Sequence, residues 1–578
     1  MIRTKMDIMS GMLRTSLIIL IAGLLCSSNA ISSPPHPSLL EARGAAKAAG
    51  QSLSPLPNLA DMHARGINMP EDCFGLKKDG RNALLGATAA TPFRILAIVV
   101  DFSDHVTQTG ASFFDTLVFG PGTGTVDDYF DEISYGTIDL VSVNLPSSMG
   151  WERAPQTYAY YVNGSYGTGP WPNNSQKLVE DMVDAVDPVV DFSNYDNDGD
   201  GYVDILLVIH SGTGAEYSGN ANDMWSHKWG INRRLTGEGV YVSAFTVQPE
   251  FWASSGDMTC GVYSHELLHG FGLPDLYDID GSSQGIGRWG IMSSGSWNGT
   301  LGSSPAHPCA WSRCELGFTT AINVTANTVG QSISSVNNGG DIYRLWTSGD
   351  ASSEYFLVEN RRQVGYDAGL PSEGLLIWHI DDGKITNEQE WWPGETNTTH
   401  FLVALEQADG LYELEHNSGY GDNADCWPGS LNRTDFNGTT GPNSDGYTSG
   451  GSFVAVENIS AAGETMTADL LVGIAASVVD NDITLPTTFS LEQNYPNPFN
   501  PNTSIAFDLS EGSAVKLEVF NILGKQVRVL IDGYVAPGTT TIVWDATDQS
   551  GAKVASGTYF YRLTVDNTEQ TKKMVLLK

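Results

Sequence analysis

Ser264-His265-Glu266-Leu267-Leu268-His269-Gly270-Phe271-Gly272-Leu273-Pro274-Asp275 is the stretch around which the chain is organised. On an α-helix, residues i and i+4 share a face. His265 and His269 would therefore present two imidazoles to one ion, as catalytic zinc requires. Glu266 lies beside that face, within reach of a metal-bound water. Gly272 can end the helix in a left-handed conformation, and Pro274 keeps it from resuming. The turn can bring Asp275 back as a third ligand. Three protein ligands and one open position describe a catalytic rather than a structural site. A surface helix turn could carry two solvated histidines, but Val262, Leu267, Leu268 and Phe271 give this helix apolar positions to bury.

Upstream, Arg94 to Phe102 is a nearly continuous apolar, β-branched run, the signature of a buried strand. Val126–Gly136 reads as a helix ending on Gly, Thr137–Val143 as a strand, and residues 175–187 as an amphipathic helix. Asp196-Asn197-Asp198-Gly199-Asp200-Gly201-Tyr202-Val203-Asp204 matches the first half of an EF-hand loop, with Asp196, Asp198 and Asp200 at ligand positions and Tyr202 and Asp204 following. Leu207 stands where the closing Glu belongs, so the loop feeds the strand Val203–Ile209. Structural calcium is the expectation. His227, between Trp225 and Trp229, reads as a packed residue, not a ligand.

Downstream, Met292 lies in the Gly/Ser-rich turn Trp289–Trp297, in the manner of a Met-turn beneath zinc. Pro305–Gly317 reads as a closing helix. It carries Cys309 and Cys314, whose five-residue spacing points them apart and leaves Cys260 and Cys426 as open partners. Residues 319–475 alternate in short runs between turns, which predicts a β-rich accessory region. His379, Asp381 and Asp382 fit a buried strand and turn better than a metal cluster.

The ends of the chain speak to export. Arg3, Lys5 and Arg14 precede the apolar run Leu17–Leu25, and Ser28-Asn29-Ala30 offers a cleavage site, so residues 1–30 read as a signal peptide. A lipidated Cys26 is the alternative, disfavoured by Leu25. Residues 31–92 read as a propeptide, in which Cys73 could cap the zinc as a thiolate. The chain carries 67 acidic and 30 basic residues, a formal charge of −37. That argues against nucleic acid or an anionic membrane as partner and suits an extracellular, cation-binding protein.

Together, the Ile95–Phe102 strand, Ser134-Tyr135-Gly136, Asp196–Asp204, Trp225-Ser226-His227-Lys228, the histidine helix and Met292 resemble the immune inhibitor A-type secreted bacterial metallopeptidases. Glu354–Arg361, Gly374–Asp381 and Gln407-Ala408-Asp409-Gly410 extend the resemblance to about Gly429. It implies an α/β zincin, metzincin-like catalytic domain over 93–318, with a mixed sheet and an active-site helix. It also implies an endopeptidase made with a propeptide and holding calcium beside zinc. His265 and His269 would be ligands, Glu266 the catalytic base and Asp275 the third ligand. A carboxylate from elsewhere is the alternative, which would leave Asp275 and Asp278 supporting the ligands. Cys426 departs from the family, which more often has an apolar residue or Pro there.

Residues 476–490 read as a linker. Beyond it, Asn494-Tyr495-Pro496-Asn497-Pro498-Phe499-Asn500-Pro501 and Gly557-Thr558-Tyr559-Phe560-Tyr561 resemble the opening and a strand of the type IX secretion sorting domain. That resemblance implies an immunoglobulin-like β-sandwich over 491–578, with secretion machinery as a partner and an outer-membrane or cell-surface route in a Gram-negative-type bacterium. The expected function is a secreted zinc endopeptidase of extracellular proteins. A non-catalytic adhesin on a protease scaffold and a zinc amidase of cell-wall peptides are the rival readings.

Overall fold

The computed structural model describes residues 33–48, 56–57, 91–393, 399–447, 451–473 and most of 490–577. The expected signal peptide, Cys73 with most of the propeptide, and most of the linker lie outside the described residues. In chain order the elements that position the site are helix α1 (Pro37–Ala48), strands β1 (Thr91–Arg94) and β2 (Leu96–Asp101), and helix α2 (Val126–Ile133). Then come β3 (Ile138–Val141), β4 (Glu152–Arg153), α3 (Ser175–Val186), β5 (Leu206–Thr213), the hairpin β6 (His227–Leu235) and β7 (Tyr241–Phe251), α4 (Cys260–Gly270) and α5 (Ala310–Glu315).

The central sheet has the order β4-β2-β5-β7-β6. Four strands run parallel and β6 closes the edge antiparallel to β7. The register Leu96↔Leu206 to Val100↔His210 joins β2 to β5. The unbroken apolar run of β2 is explained by burial on both faces. Ala97, Val99, Leu207 and Ile209 pack with residues of α2 and α4. Leu96, Ile98, Val100, Leu206 and Val208 pack with Leu178, Met182 and Val186 of α3 on the other face. Side chains cap the two amphipathic helices at their starts, Thr125 accepting from Asp128 N and Asn174 from Lys177 N, which satisfies donors the helix leaves open.

Helix α4 is buried along its whole length. It approaches the 295–302 loop so closely that a Cβ on Gly261 would stand 2.1 Å from the Ser296 carbonyl oxygen. Its end follows the expected chemistry: Leu273 N donates to Leu268 O, and Gly272 takes φ +93, where a Cβ is disfavoured.

The closing helix is shorter than expected, starting at Ala310 rather than Pro305. Pro308 disfavours helical backbone at His307, and His307 N is held instead by Asp367 Oδ1 at 2.8 Å. The strand expected over 137–143 covers Ile138–Val141. The sequence reading anticipated no β6–β7 hairpin.

The β-rich region comprises β8 (Ile322–Asn323), β9 (Thr328–Ser334), β10 (Tyr343–Leu345), β11 (Glu354–Arg361), β12 (Gly374–Asp381), β13 (Val403–Leu405), β14 (Ala455–Glu457) and β15 (Thr465–Leu471). They form a five-stranded sheet, β13-β12-β11-β10-β8, and a three-stranded sheet, β14-β15-β9. The boundary expected at 318/319 is not a break in packing. Leu357, Leu376, Trp378 and Leu405 share one core with Phe130, Leu268 and Trp289, and residues to Val472 form one unit. His379 lies on β12, with Nε2 3.1 Å from Glu354 and Nδ1 3.1 Å from Glu406, inside the strand as expected.

Residues from Gly473 onward form a second unit. Its strands are β16 (Ser490–Leu491), β17 (Thr503–Leu509), β18 (Ser513–Asn521), β19 (Gln526–Val535), β20 (Gly538–Trp544), β21 (Gly557–Val565) and β22 (Thr568–Leu576). Two antiparallel sheets, β16-β17-β20 and β19-β18-β21-β22, bury one cluster that includes Phe507, Leu517, Trp544, Tyr561 and Leu563. Among the described residues no helix is long and apolar enough to cross a membrane.

Candidate metal centre and cleft

Helix α4 places His265 and His269 one turn apart, their ring centroids 4.8 Å from each other. Each ring uses Nδ1 on a backbone carbonyl, His265 on Ile291 O and His269 on Leu273 O, both at 2.8 Å. A carbonyl only accepts, so each Nδ1 carries the proton and each Nε2 of a neutral ring keeps a lone pair. The turn through Gly272 and Pro274 brings Asp275 back onto these atoms. Its Oδ1 stands 3.0 Å from His265 Nε2 and its Oδ2 3.3 Å from His269 Nε2. All four atoms are buried without a hydrogen-bond partner. Lone pairs and a carboxylate converging in a buried space repel unless a cation stands among them. Two imidazoles and one carboxylate suit zinc and leave an open position.

Charge follows the same logic. Burial opposes the charged form of His265, yet the Asp275 carboxylate outweighs it and holds the ring above its ordinary value. Burial would raise Asp275, but the two imidazoles pull it down. Glu266 is raised, chiefly by burial. Met292 is buried in the turn after α4, where its carbonyl accepts from Leu276 N at 2.7 Å and the adjacent Ile291 carbonyl orients His265. Lys228 of β6, itself buried, donates from Nζ to the His269 carbonyl oxygen at 2.8 Å.

One functional contact escapes the sequence reading. Ser33 lies on Glu266: its hydroxyl donates to Glu266 Oε1, and its N–H donates to the same oxygen at 3.2 Å. The extended segment 33–36 is held along the cleft. Ser33 N donates to Ser226 O at 3.2 Å, Trp225 Nε1 to Ser33 O at 2.8 Å, Trp297 Nε1 to Pro34 O at 2.8 Å, and His36 N to Glu216 O at 2.8 Å. The Ala/Pro/Ser-rich composition of this stretch gave no signal for these contacts. The only hint was its place ahead of the catalytic region. Beside it, Glu216 is buried against Ser226, and that burial pushes its carboxyl up to about 7.

In the acidic loop, oxygens of Asp196, Asp198 and Asp200 lie within 4.8 Å of one another. Asp204 is turned elsewhere, its Oδ2 accepting from Asn197 N at 2.6 Å and Asn197 Nδ2 at 2.9 Å. Burial raises it to about 7. Tyr202 N donates to Asp200 Oδ1 at 2.9 Å. His227 is packed, between Ser175 Oγ and Trp225 O. Cys260, Cys309, Cys314 and Cys426 are free thiols.

Residues 89–318 match the family described as immune inhibitor A peptidase M6, catalytic domain, and residues 497–569 match the FlgD Ig-like domain. A pre-pro-metalloprotease PrtV of Vibrio cholerae serotype O1 is 32% identical over an alignment of 197 residues, with coverage of 28% of this chain and 21% of that protein. Immune inhibitor A of Bacillus thuringiensis subsp. alesti is 33% identical over an alignment of 219 residues, with coverage of 31% of this chain and 30% of that protein. The chain thus spans less than a third of the length of either curated relative. A solved FlgD structure from P. aeruginosa is 21% identical, covering 14% of this chain and 70% of that one, at a TM-score of 0.12. The segment that folds around His265, His269 and Asp275 therefore lies within the stretch that matches the immune inhibitor A peptidase M6 catalytic domain.

Proposed function

We propose that this protein is a secreted zinc endopeptidase of extracellular proteins. The observation that carries the reading is the convergence of the His265 and His269 Nε2 atoms and the Asp275 carboxylate beside a buried glutamate. His265, His269 and Asp275 would hold the zinc. Bound there, zinc would lower the pKa of a water and polarise the scissile carbonyl. Glu266 would accept a water's proton and return it to the leaving amine. The carbonyls of Ile291 and Leu273 hold the two rings in the tautomer that binds metal.

The segment around Ser33 lies where a substrate must reach Glu266, so the full chain is a latent form that opens when this segment leaves. In the Asp196–Asp200 loop the expected role is structural calcium, held by Asp196, Asp198 and Asp200, with Asp204 bracing the loop through Asn197 instead of facing the ion. Met292 supports the centre as a Met-turn. The final unit would be an immunoglobulin-like sorting domain, engaging secretion machinery at the cell surface.

The test uses the purified full chain, with metal analysis and casein hydrolysis before and after limited proteolysis. One zinc per chain is expected, with chelator-sensitive activity that rises on proteolysis. Glu266→Ala should lower that activity by about 10²–10⁴-fold. Full activity in Glu266→Ala, or a chain without zinc, would overturn the reading.

A further inference from the structure

The segment on Glu266 also maps how the cleft holds a peptide. Its four hydrogen bonds to Ser226 O, Trp225 Nε1, Trp297 Nε1 and Glu216 O all engage main-chain atoms of residues 33–36. Main-chain recognition does not depend on the side chains of the bound segment, so the same groups can hold other peptides. The two indole N–H groups are donors only, and a peptide carbonyl satisfies each. Their order fixes the chain direction: a donor at residue 33, acceptors at 33 and 34, and a donor at 36.

One side chain of the segment enters a built slot. The His36 ring meets Trp297 edge-on, centroids 4.7 Å apart at 88°, and Tyr217 at 5.5 Å and 65°. Trp252 backs the slot, 4.8 Å from Trp297 and 6.1 Å from Tyr217. Such edge-to-face geometry favours a planar ring over an alkyl or charged chain. His36 Nδ1 accepts from Ser38 N at 3.2 Å, and burial lowers the ring's pKa, so the slot holds a neutral ring.

We propose that the Tyr217–Trp297 slot is a specificity subsite of the cleft, selecting substrates with an aromatic or neutral imidazole side chain three residues C-terminal to the residue facing Glu266. This rests on the peptidase reading and names its substrate class.

Two arms test it. In the first, quenched peptides varied at each position around the cleaved bond are given to the proteolytically opened chain. Phe, Tyr, Trp or His should raise kcat/KM at least about tenfold over Ala or Asp at that one C-terminal position. Tyr217→Ala should flatten the Phe-to-Ala ratio, an internal ratio that partial misfolding does not imitate. In the second arm, synthetic peptides of residues 31–48 carrying His, Phe or Ala at position 36 are titrated into the full-length His36→Ala chain, read by tryptophan fluorescence. His and Phe should bind about equally, and each at least about tenfold tighter than Ala. Equal affinities for all three, or Glu266-dependent cleavage blind to that position, overturn the subsite and leave the peptidase reading standing. Cleavage that survives Glu266→Gln sinks the peptidase reading instead, while the binding arm still decides the slot.

Discussion

His265 and His269, the proposed zinc ligands, are oriented by backbone carbonyls on the far side of each ring. The Ile291 and Leu273 carbonyls fix which ring nitrogen is protonated, and the other nitrogen then has no protein donor to meet. Asp275 adds the negative charge that a third imidazole would not supply, and it does so from a fully buried position. Its value to the site should therefore be electrostatic rather than steric. Asp275→Asn preserves shape and removes the charge. Zinc affinity, measured by chelator competition, is expected to fall by more than the 10–100-fold typical of losing an outer partner. An unchanged affinity would show that Asp275 is not a ligand.

At the scale of elements, α4 leaves little room for substitution. It is buried on every side, and at Gly261 the 295–302 loop fills the space a side chain would need. Its C-terminal end is tied to the sheet by Lys228, whose Nζ reaches the His269 carbonyl oxygen. A cation at that end also complements the helix dipole. Lys228→Met keeps the apolar stem and removes the donor. It is expected to weaken zinc binding by about tenfold and to lower kcat with little change in KM, because it disturbs the geometry of His269 without touching substrate. Loss through KM alone would place Lys228 in substrate binding instead. The histidines, Glu266 and the returning Asp275 were legible because their spacing is local: one helical turn, one glycine, one proline. Ser33 was not. Its partner is 233 residues away in sequence, and no local pattern encodes a contact made only by the folded cleft. The β6–β7 hairpin was hidden for a different reason. Phe245 to Phe251 does alternate apolar and polar residues, but Pro249 inside the run argues against a paired strand, and the polar Thr246, Gln248 and Glu250 are buried rather than exposed.

Across the molecule, the β-rich region is part of the catalytic fold, a relation the short alternating runs could not reveal. Its apolar side chains complete the core behind α4, and one buried ion pair fastens the junction. Arg361 of β11 meets Asp367 through Nε at 2.8 Å and Nη2 at 2.6 Å, and reaches Trp289 O at 3.4 Å and Glu359 at 3.3 Å. Asp367 in turn holds His307 N ahead of α5. Replacing the pair with apolar residues could be nearly neutral, but removing one charge strands the other in the core. Asp367→Asn is accordingly expected to destabilise the 1–472 unit by about 3–5 kcal/mol in urea unfolding, with the second unit unaffected. The deficit should carry a pH signature. Burial would raise the Asp367 carboxyl, but Arg361 and His307 hold it well below its ordinary range. Its contribution is then fully present above the unfolded carboxyl pKa of about 3.9 and is lost as pH falls below it. The gap between the parent chain and Asp367→Asn should stay constant from about pH 5 to 8 and narrow progressively as pH falls below about 4 toward the much lower folded value. A gap that persists undiminished at low pH would mean that Asp367 acts through packing, and that the junction is held by its apolar core alone.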